Sequence, residues 1–533
     1  MFAAIVVSKT VHDVTCFRLF IVCLSLFAVK LRAYDIQAMS LEEKVGQLLM
    51  VHFIGEEVND DARKLVQQAH VGGIIYFRTA NGLTSPDQVR RLSRSLQDLA
   101  RIPVFIAIDA EGGPVCHLKH GFTLFPSAWS QGRTGDAHLA QQVAFASSQE
   151  LKAVGINMNL APVVDINTNP ANPVIGIRSF GSSAEVVARF GRAALDGYKE
   201  GGIIAALKHF PGHGDVATDS HTGLPVTNKP LDQLEKEDLY PFGQLAKEAD
   251  VIMSAHLLVP SIDPDACATF SSRLLQGVLR QKLGFKGVII SDSLLMDGAL
   301  MQAKSVENAA INAFNAGCDL LIIAGGFSKK TLTTADSMCS VHKALVDAVR
   351  DGRISLDKLH TSLERILHLK EKHALKLQTT SALKTAEHLA LCNQIAKKSV
   401  EIIYNHLPAD FIAKTLAIIA PEALTVELSQ TQMAAKASKI MYYKTCQPSP
   451  EAILEAQEMA KSADVIIVLT AYNQKFPGQA DLSKQLVQSG KKVILFSIGL
   501  PQDAHVHPVC SALVATYSPT PAALDAAFSL LAP

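Results

Sequence analysis

The chain has no CxxC pair, and its nine cysteines are scattered singly along 533 residues. This spacing argues against a cysteine-based structural zinc site and against a disulfide framework. The odd count leaves at least one thiol unpaired, and buried free thiols are the expected state. The chain also has no charge imbalance. Lys+Arg and Asp+Glu stand at 50 each, so a polyanionic partner such as nucleic acid is not indicated. There is no internal repeat and no low-complexity tract. What remains is a composition of 48% hydrophobic and 19% charged residues, that of a globular protein long enough for more than one domain.

One apolar run stands apart from the rest. Residues 19–29 (LFIVCLSLFAV) follow Arg18 and precede Lys30 and Arg32. The run has the length of a signal peptide and is short for a membrane span. Leu31-Arg32-Ala33 is a poor cleavage site, and Cys23 sits mid-run, a poor position for a lipid-attachment cysteine. Residues 1–33 are expected to be an export signal or a retained membrane anchor. The protein would then be periplasmic or membrane-anchored, and cytoplasmic without that segment. The mature fold is expected to begin near Tyr34.

From there, eight short apolar runs recur: 47–53, 73–77, 104–109, 156–161, 203–209, 251–256, 288–292 and 320–324. Amphipathic stretches such as 87–99 and 137–153 lie between them. Alternating units of this kind predict a (β/α)₈ TIM-type barrel over 34–378, with a doubly wound sheet as the alternative. The barrel is favoured because Asp109, Asp165, Lys208-His209, His256 and Asp292 all fall at the C-terminal ends of runs. In a barrel those ends ring one mouth. Residues 356–372 read as the last barrel helix or the helix leading out, and the polar stretch 379–385 as the boundary. A second α/β pattern follows over 386–533, with strands expected at 415–420, 465–469, 493–498 and 513–517 and a helix at 450–462. It reads as a smaller open parallel sheet. It has no Gly-rich phosphate fingerprint and no cluster of titratable groups, so it reads as a packing or accessory domain.

The chemistry concentrates in residues 208–221, KHFPGHGDVATDSH. Pro211, Gly212 and Gly214 end the preceding strand, so a loop carries His213, Asp219 and His221 beyond Lys208 and His209. Two readings compete. In one, His209, His213, His221 and an aspartate hold a metal such as zinc, although strand one offers only His52 and no His-x-His pair. In the other there is no metal. Asp292 attacks a carbon, His221 moves protons with Asp219 as its orienting partner, and Lys208, His209, Asp109 and Arg178 hold the substrate. Regular strand geometry points Lys208 and His209 to opposite faces, so only a bend would bring both to one ligand.

Six motifs carry a resemblance: IDAEGG at 108–113, IGIRSFG at 175–181, KHFPGHGDVATDSH at 208–221, MSAH at 253–256, LGFKGVIISDSLLMDGA at 283–299 and AGCDLL at 316–321. In this order they resemble the two-domain form of family 3 glycoside hydrolases, in the bacterial β-N-acetylglucosaminidase (β-N-acetylhexosaminidase) branch. The resemblance implies a cofactor-free retaining glycosidase. It would remove terminal β-linked N-acetylglucosamine from peptidoglycan fragments. Asp292 is implied as nucleophile, His221 as acid/base with Asp219 as partner, and Asp109, Arg178, Lys208 and His209 as sugar-binding groups. The family's EGGRVxR reads Glu111-Gly112-Gly113-Pro114-Val115-Cys116-His117 here. Both arginines are absent, and His117 is the candidate replacement for the second. A neutral histidine base repels anions less than a carboxylate, so phosphorolysis is a variant of the same reading. The alternatives are a non-catalytic sugar-binding barrel and a metal-dependent barrel hydrolase.

Overall fold

The computed structural model describes residues 34–326, 334–373, 375, 382–408, 411, 414–471 and 476–531. The expected export segment, 1–33, lies outside the described residues, as do residues 379–381 of the expected boundary stretch. No described helix is long and apolar enough to cross a membrane.

Eight parallel strands form the first sheet: β1 (Leu49–Val51), β2 (Gly73–Tyr76), β3 (Phe105–Ile108), β4 (Met158–Asn159), β5 (Ile204–Phe210), β6 (Val251–Ser254), β7 (Val288–Ser291) and β8 (Leu321–Ile323). Each pairs with its neighbour in chain order, and β1 pairs back to β8. A bridge between Ile290 and Leu320 joins β7 to β8 and closes the ring. Every strand residue is buried. A parallel sheet enclosed by helices is covered on both faces, which is why its strands read as unbroken apolar runs.

The surrounding helices follow from ordinary signals. Helix Pro86–Leu99 starts after Ser85, whose side chain accepts the Gln88 N–H, and it carries Pro at its first position. Val89, Leu92 and Leu96 give it a buried stripe at helical spacing. Helices Ala137–Ala153 and Ala184–Gly201 pack closely against each other. A Cβ on Gly197 would stand 2.2 Å from the Gln141 carbonyl oxygen, so only glycine fits there. The seven cysteines among the described residues are all free thiols, and four of them are buried.

The second sheet has six strands: β9 (Glu401–Asn405), β10 (Leu416–Pro421), β11 (Lys439–Tyr443), β12 (Val465–Thr470), β13 (Lys492–Ser497) and β14 (Ala512–Ala515), in the order β9-β14-β13-β12-β10-β11. All pairs are parallel except β9 with β14. Alternate residues feed two separate cores. Ile418, Ile467, Ile494 and Val514 face one side, and Ile419, Val468, Leu495 and Leu513 the other. The sequence reading located the four inner strands and not β9 or β11. Both are edge strands with exposed positions in their burial pattern and short apolar stretches, 402–404 and 440–443.

The first of these cores also receives the barrel's Ile177, fully buried, with Trp129 packed partly against it. Polar bonds surround this junction. Ser127 Oγ donates to the Tyr517 carbonyl at 2.5 Å. Arg133 pairs with Glu401 at 2.7 Å and lies 4.3 Å from the centre of the Tyr517 ring. Lys119 pairs with the buried Glu427 at 2.5 Å.

Candidate active site

A cavity of about 270 Å³ opens at the C-terminal ends of the barrel strands. Asp109, Glu111, His117, Arg178, Lys208, His209, His213, His221 and Asp292 all line it, with Leu160, Val174, Ile175, Met253 and Met296 as apolar wall. Of the residues singled out in the sequence, His52, Asp165, Asp219 and His256 stand outside the lining; Asp165 is bonded to His209, Asp219 to His221 and His256 to the Ser293 carbonyl.

Asp292 directly follows β7. Its N–H donates to the Ser254 carbonyl at 3.1 Å, and its Oδ1 accepts the Ser293 N–H at 2.7 Å. The turn beyond it is fixed twice more: Ser293 Oγ donates to the Ala324 carbonyl at 2.5 Å, and His256 Nε2 to the Ser293 carbonyl at 2.8 Å. Burial alone would raise the Asp292 carboxyl. His209, His256, His221 and the Ser293 N–H outweigh it and hold the group below its ordinary range. The side chain is therefore an anion at neutral pH.

One wall is a buried chain of alternating charges. Lys208 Nζ lies 2.6 Å from Asp109 and 2.6 Å from Glu111. Arg178 grips Glu111 with both arms, Nε at 2.8 Å and Nη2 at 2.9 Å. Burial would raise the Glu111 carboxyl, but the two cations pull it down to about 2. Lys208 is raised against the pull of burial by Asp109 and Glu111. Glu111, Lys208 and Arg178 therefore stay charged across the physiological range, and the wall offers fixed donors and acceptors to hydroxyls.

His209 and Lys208 line the same cavity, contrary to the alternating geometry of a regular strand. The β5–β6 register shifts between Leu207 and Phe210, and the Lys208–His209 peptide is cis. A register shift of this kind re-aims side chains locally. Asp165, wholly buried, organises the strand end and the start of the loop beyond it. It accepts the His209 Nδ1–H at 2.6 Å and the N–H groups of His209 and His213 at 3.1 and 2.7 Å. His209 Nε2 faces Arg178 Nη2 at 3.4 Å.

His221 is mounted differently. Its side chain is 62% exposed, and its Nδ1–H donates to Asp219 Oδ1 at 2.7 Å. That bond raises the imidazole's proton affinity more than burial lowers it, and the Asp292 charge adds to the rise. Nε2 remains for proton transfer.

His117 enters the cavity wall with its ring edge-on to Phe77, 5.3 Å between centres. Burial lowers its pKa, so it is neutral and brings no fixed cation where the motif's arginine would stand. Among the described residues, no three His, Cys, Asp or Glu side chains are arranged to hold a metal ion. His209 bonds Asp165, His213 Nε2 faces Ser220 and His221 bonds Asp219.

In the sequence Glu111 is only the fallback proton donor should His221 not serve, and Asp165 has no assigned role. Glu111 sits two residues past Asp109 in IDAEGG, on the short hairpin that follows β3, and that proximity was the available signal. Asp165 was marked only as a polar residue at a run's end.

Comparison with known proteins agrees with this geometry. Residues 40–369 match the glycosyl hydrolase family 3 N-terminal domain. A beta-hexosaminidase A of Pseudoalteromonas piscicida is 33% identical over 388 residues, which cover 67% of this chain and 64% of that protein. A beta-hexosaminidase of Methylobacillus flagellatus is 37% identical over 282 residues, covering 52% of this chain and 79% of that one. A glycoside hydrolase family 3 beta-N-acetylglucosaminidase from Paenibacillus sp. str. FPU-7 superposes with a TM-score of 0.83 at 35% identity, over 93% of this chain and 97% of that chain. A barrel whose strand ends carry these motifs around one cavity, matched by the family model over most of its length, belongs to glycosyl hydrolase family 3.

Proposed function

We propose that this protein is a retaining β-N-acetylhexosaminidase that releases terminal β-linked N-acetylglucosamine, with peptidoglycan fragments as its source. The observation that carries the reading is the pairing in one cavity of a fixed anion, Asp292, with a carboxylate-oriented imidazole, His221. Retaining hydrolysis needs a carboxylate on one side of the anomeric carbon and a proton donor at the leaving oxygen.

In the first step an Asp292 oxygen forms a bond to the anomeric carbon while the bond to the leaving oxygen breaks. The leaving oxygen takes the Nε2 proton of His221, and Asp219 stabilises the imidazolium before transfer. In the second step water attacks the anomeric carbon. Its proton passes to His221, and the Asp292 carboxylate departs. The charged wall of Asp109, Lys208, Glu111 and Arg178, with His209, holds the sugar hydroxyls. Glu111 is not a proton donor in this scheme, because Arg178 and Lys208 keep it ionised.

The test is release of a chromogenic aglycone from an N-acetylglucosaminide, followed by trapping with a 2-fluoro slow substrate. The adduct is expected on Asp292, and a label on another carboxylate overturns the assignment. Such a substrate lies in the cell envelope, and we propose that residues 1–33 deliver the protein there. N-terminal sequencing of protein from the envelope fraction reads whether they are removed.

A further inference from the structure

The loop that carries Asp219 and His221 is pinned at the residue between them. Ser220 is buried although His221 is largely exposed. Its carbonyl accepts the Gly298 N–H at 3.1 Å, in the first turn of the helix Asp297–Ala303 that follows Asp292. The loop rests directly on that turn. A Cβ on Gly298 would stand 2.9 Å from the Gly223 carbonyl oxygen and 3.2 Å from that of Ser220.

The Ser220 hydroxyl lies 3.2 Å from His213 Nε2. His213 is itself buried and anchored through its backbone. Its N–H donates to Asp165, and its carbonyl accepts the Asn172 side-chain amide at 2.8 Å. Its Nδ1 has no hydrogen-bond partner, so the contact with Ser220 is the ring's one hydrogen bond among the described residues. Burial pushes the His213 pKa down to about 4. The ring is therefore neutral wherever His221 titrates. A serine hydroxyl, which can donate or accept, suits either tautomer of it.

We propose that the hydrogen bond between His213 and Ser220 is the latch that holds the Asp219–His221 pair over the cavity, which makes His213 and Ser220 positioning residues for proton transfer. This rests on the reading of His221 as acid/base. An acid on a loop works only when its proton is within hydrogen-bond reach of the leaving oxygen. A buried tether fixed to Asp165 links that loop to the anchor that also orients His209. Because the tether is uncharged, it holds in both protonation states of His221.

Ser220→Ala removes a single oxygen and leaves the backbone bond to Gly298. A displacement of about 1 Å can cost on the order of 10²-fold in rate, so Ser220→Ala is expected to lower kcat/KM for an alkyl aglycone by about tenfold or more. For a dinitrophenyl aglycone, which needs little protonation, the loss should stay within about twofold. The alkaline limb of the pH profile should not move, since the Asp219–His221 bond is intact. His213→Leu should behave as Ser220→Ala does, His213→Gln should retain most of the rate, and the Ser220→Ala/His213→Leu double variant should be no slower than its slower parent. Amide hydrogen exchange across 219–223 should rise in both single variants.

Additive losses in the double variant, or equal losses for both aglycones, overturn the latch. Unchanged exchange across 219–223 also overturns it. If His221→Ala shows no dependence on the leaving group, the acid/base reading fails, and the exchange measurement then decides the latch by itself.

Discussion

Asp292 and His221 face the same cavity from different mountings. Asp292 directly follows a buried strand and is fixed through Ser254, Ser293, Ala324 and His256. His221 sits on a loop, exposed, and bonds one carboxylate two residues away. A nucleophile attacks one carbon from one direction, and rigidity serves it. A proton donor must admit the aglycone, meet its oxygen and later meet a water. The loop leaves the imidazole exposed for those encounters while its backbone stays anchored at Ser220. The strand-mounted part should therefore fail in an all-or-none way, and the loop-mounted part in proportion to what it is asked to protonate.

The hardest test of this contrast is Asp292→Asn. We expect kcat/KM to fall by at least about 10⁴-fold for good and poor leaving groups alike, as loss of a nucleophile does in other enzymes. The melting temperature should change little. A surviving rate with the dinitrophenyl substrate would remove Asp292 from the nucleophile's role.

His221→Ala comes next. General acid/base help is worth roughly 10²–10⁴-fold, so alkyl aglycones should lose about that much and dinitrophenyl far less. A plot of rate against aglycone acidity reads the difference. Equal losses would make His221 a sugar-binding group and erase the contrast between the two mountings.

Asp219→Asn should act in the same direction and less severely, since the ring remains. It also shifts the pH profile in a defined sense. The Asp219 bond raises the His221 pKa, and the acid form is lost as pH rises through that pKa. Without Asp219 the alkaline limb of kcat/KM should move to lower pH. A limb that stays in place would show that Asp219 does not tune the imidazole.

The smallest expected effect is none. The histidines of the loop already have protein partners, so prolonged treatment with a strong chelator should leave kcat/KM unchanged. Loss of activity restored by zinc would favour the metallohydrolase reading over the contrast drawn here.

The barrel was legible because parallel strands buried on both faces leave continuous apolar runs, with polar residues where each run meets the mouth. The cavity's membership was legible from motif order. The wiring within it was not. Glu111 becomes a doubly clamped anion only because Arg178 and Lys208, far along the chain, converge on it. Lys208 and His209 share a cavity through a local break in strand register that their apolar neighbours do not announce. In the second sheet, β9 and β11 were missed: both are edge strands with exposed positions and short apolar stretches.

Ile177 immediately precedes Arg178 and is buried in the core of the second domain. For anyone cutting or recombining this protein, the two domains are thus less separable than their sequences suggest. A barrel produced alone would present Ile177 to solvent and lose this packing one residue before Arg178. Swapping in a foreign second domain would have to reproduce a socket for this one isoleucine. The second domain, none of whose described residues lines the cavity, thereby covers the residue next to Arg178.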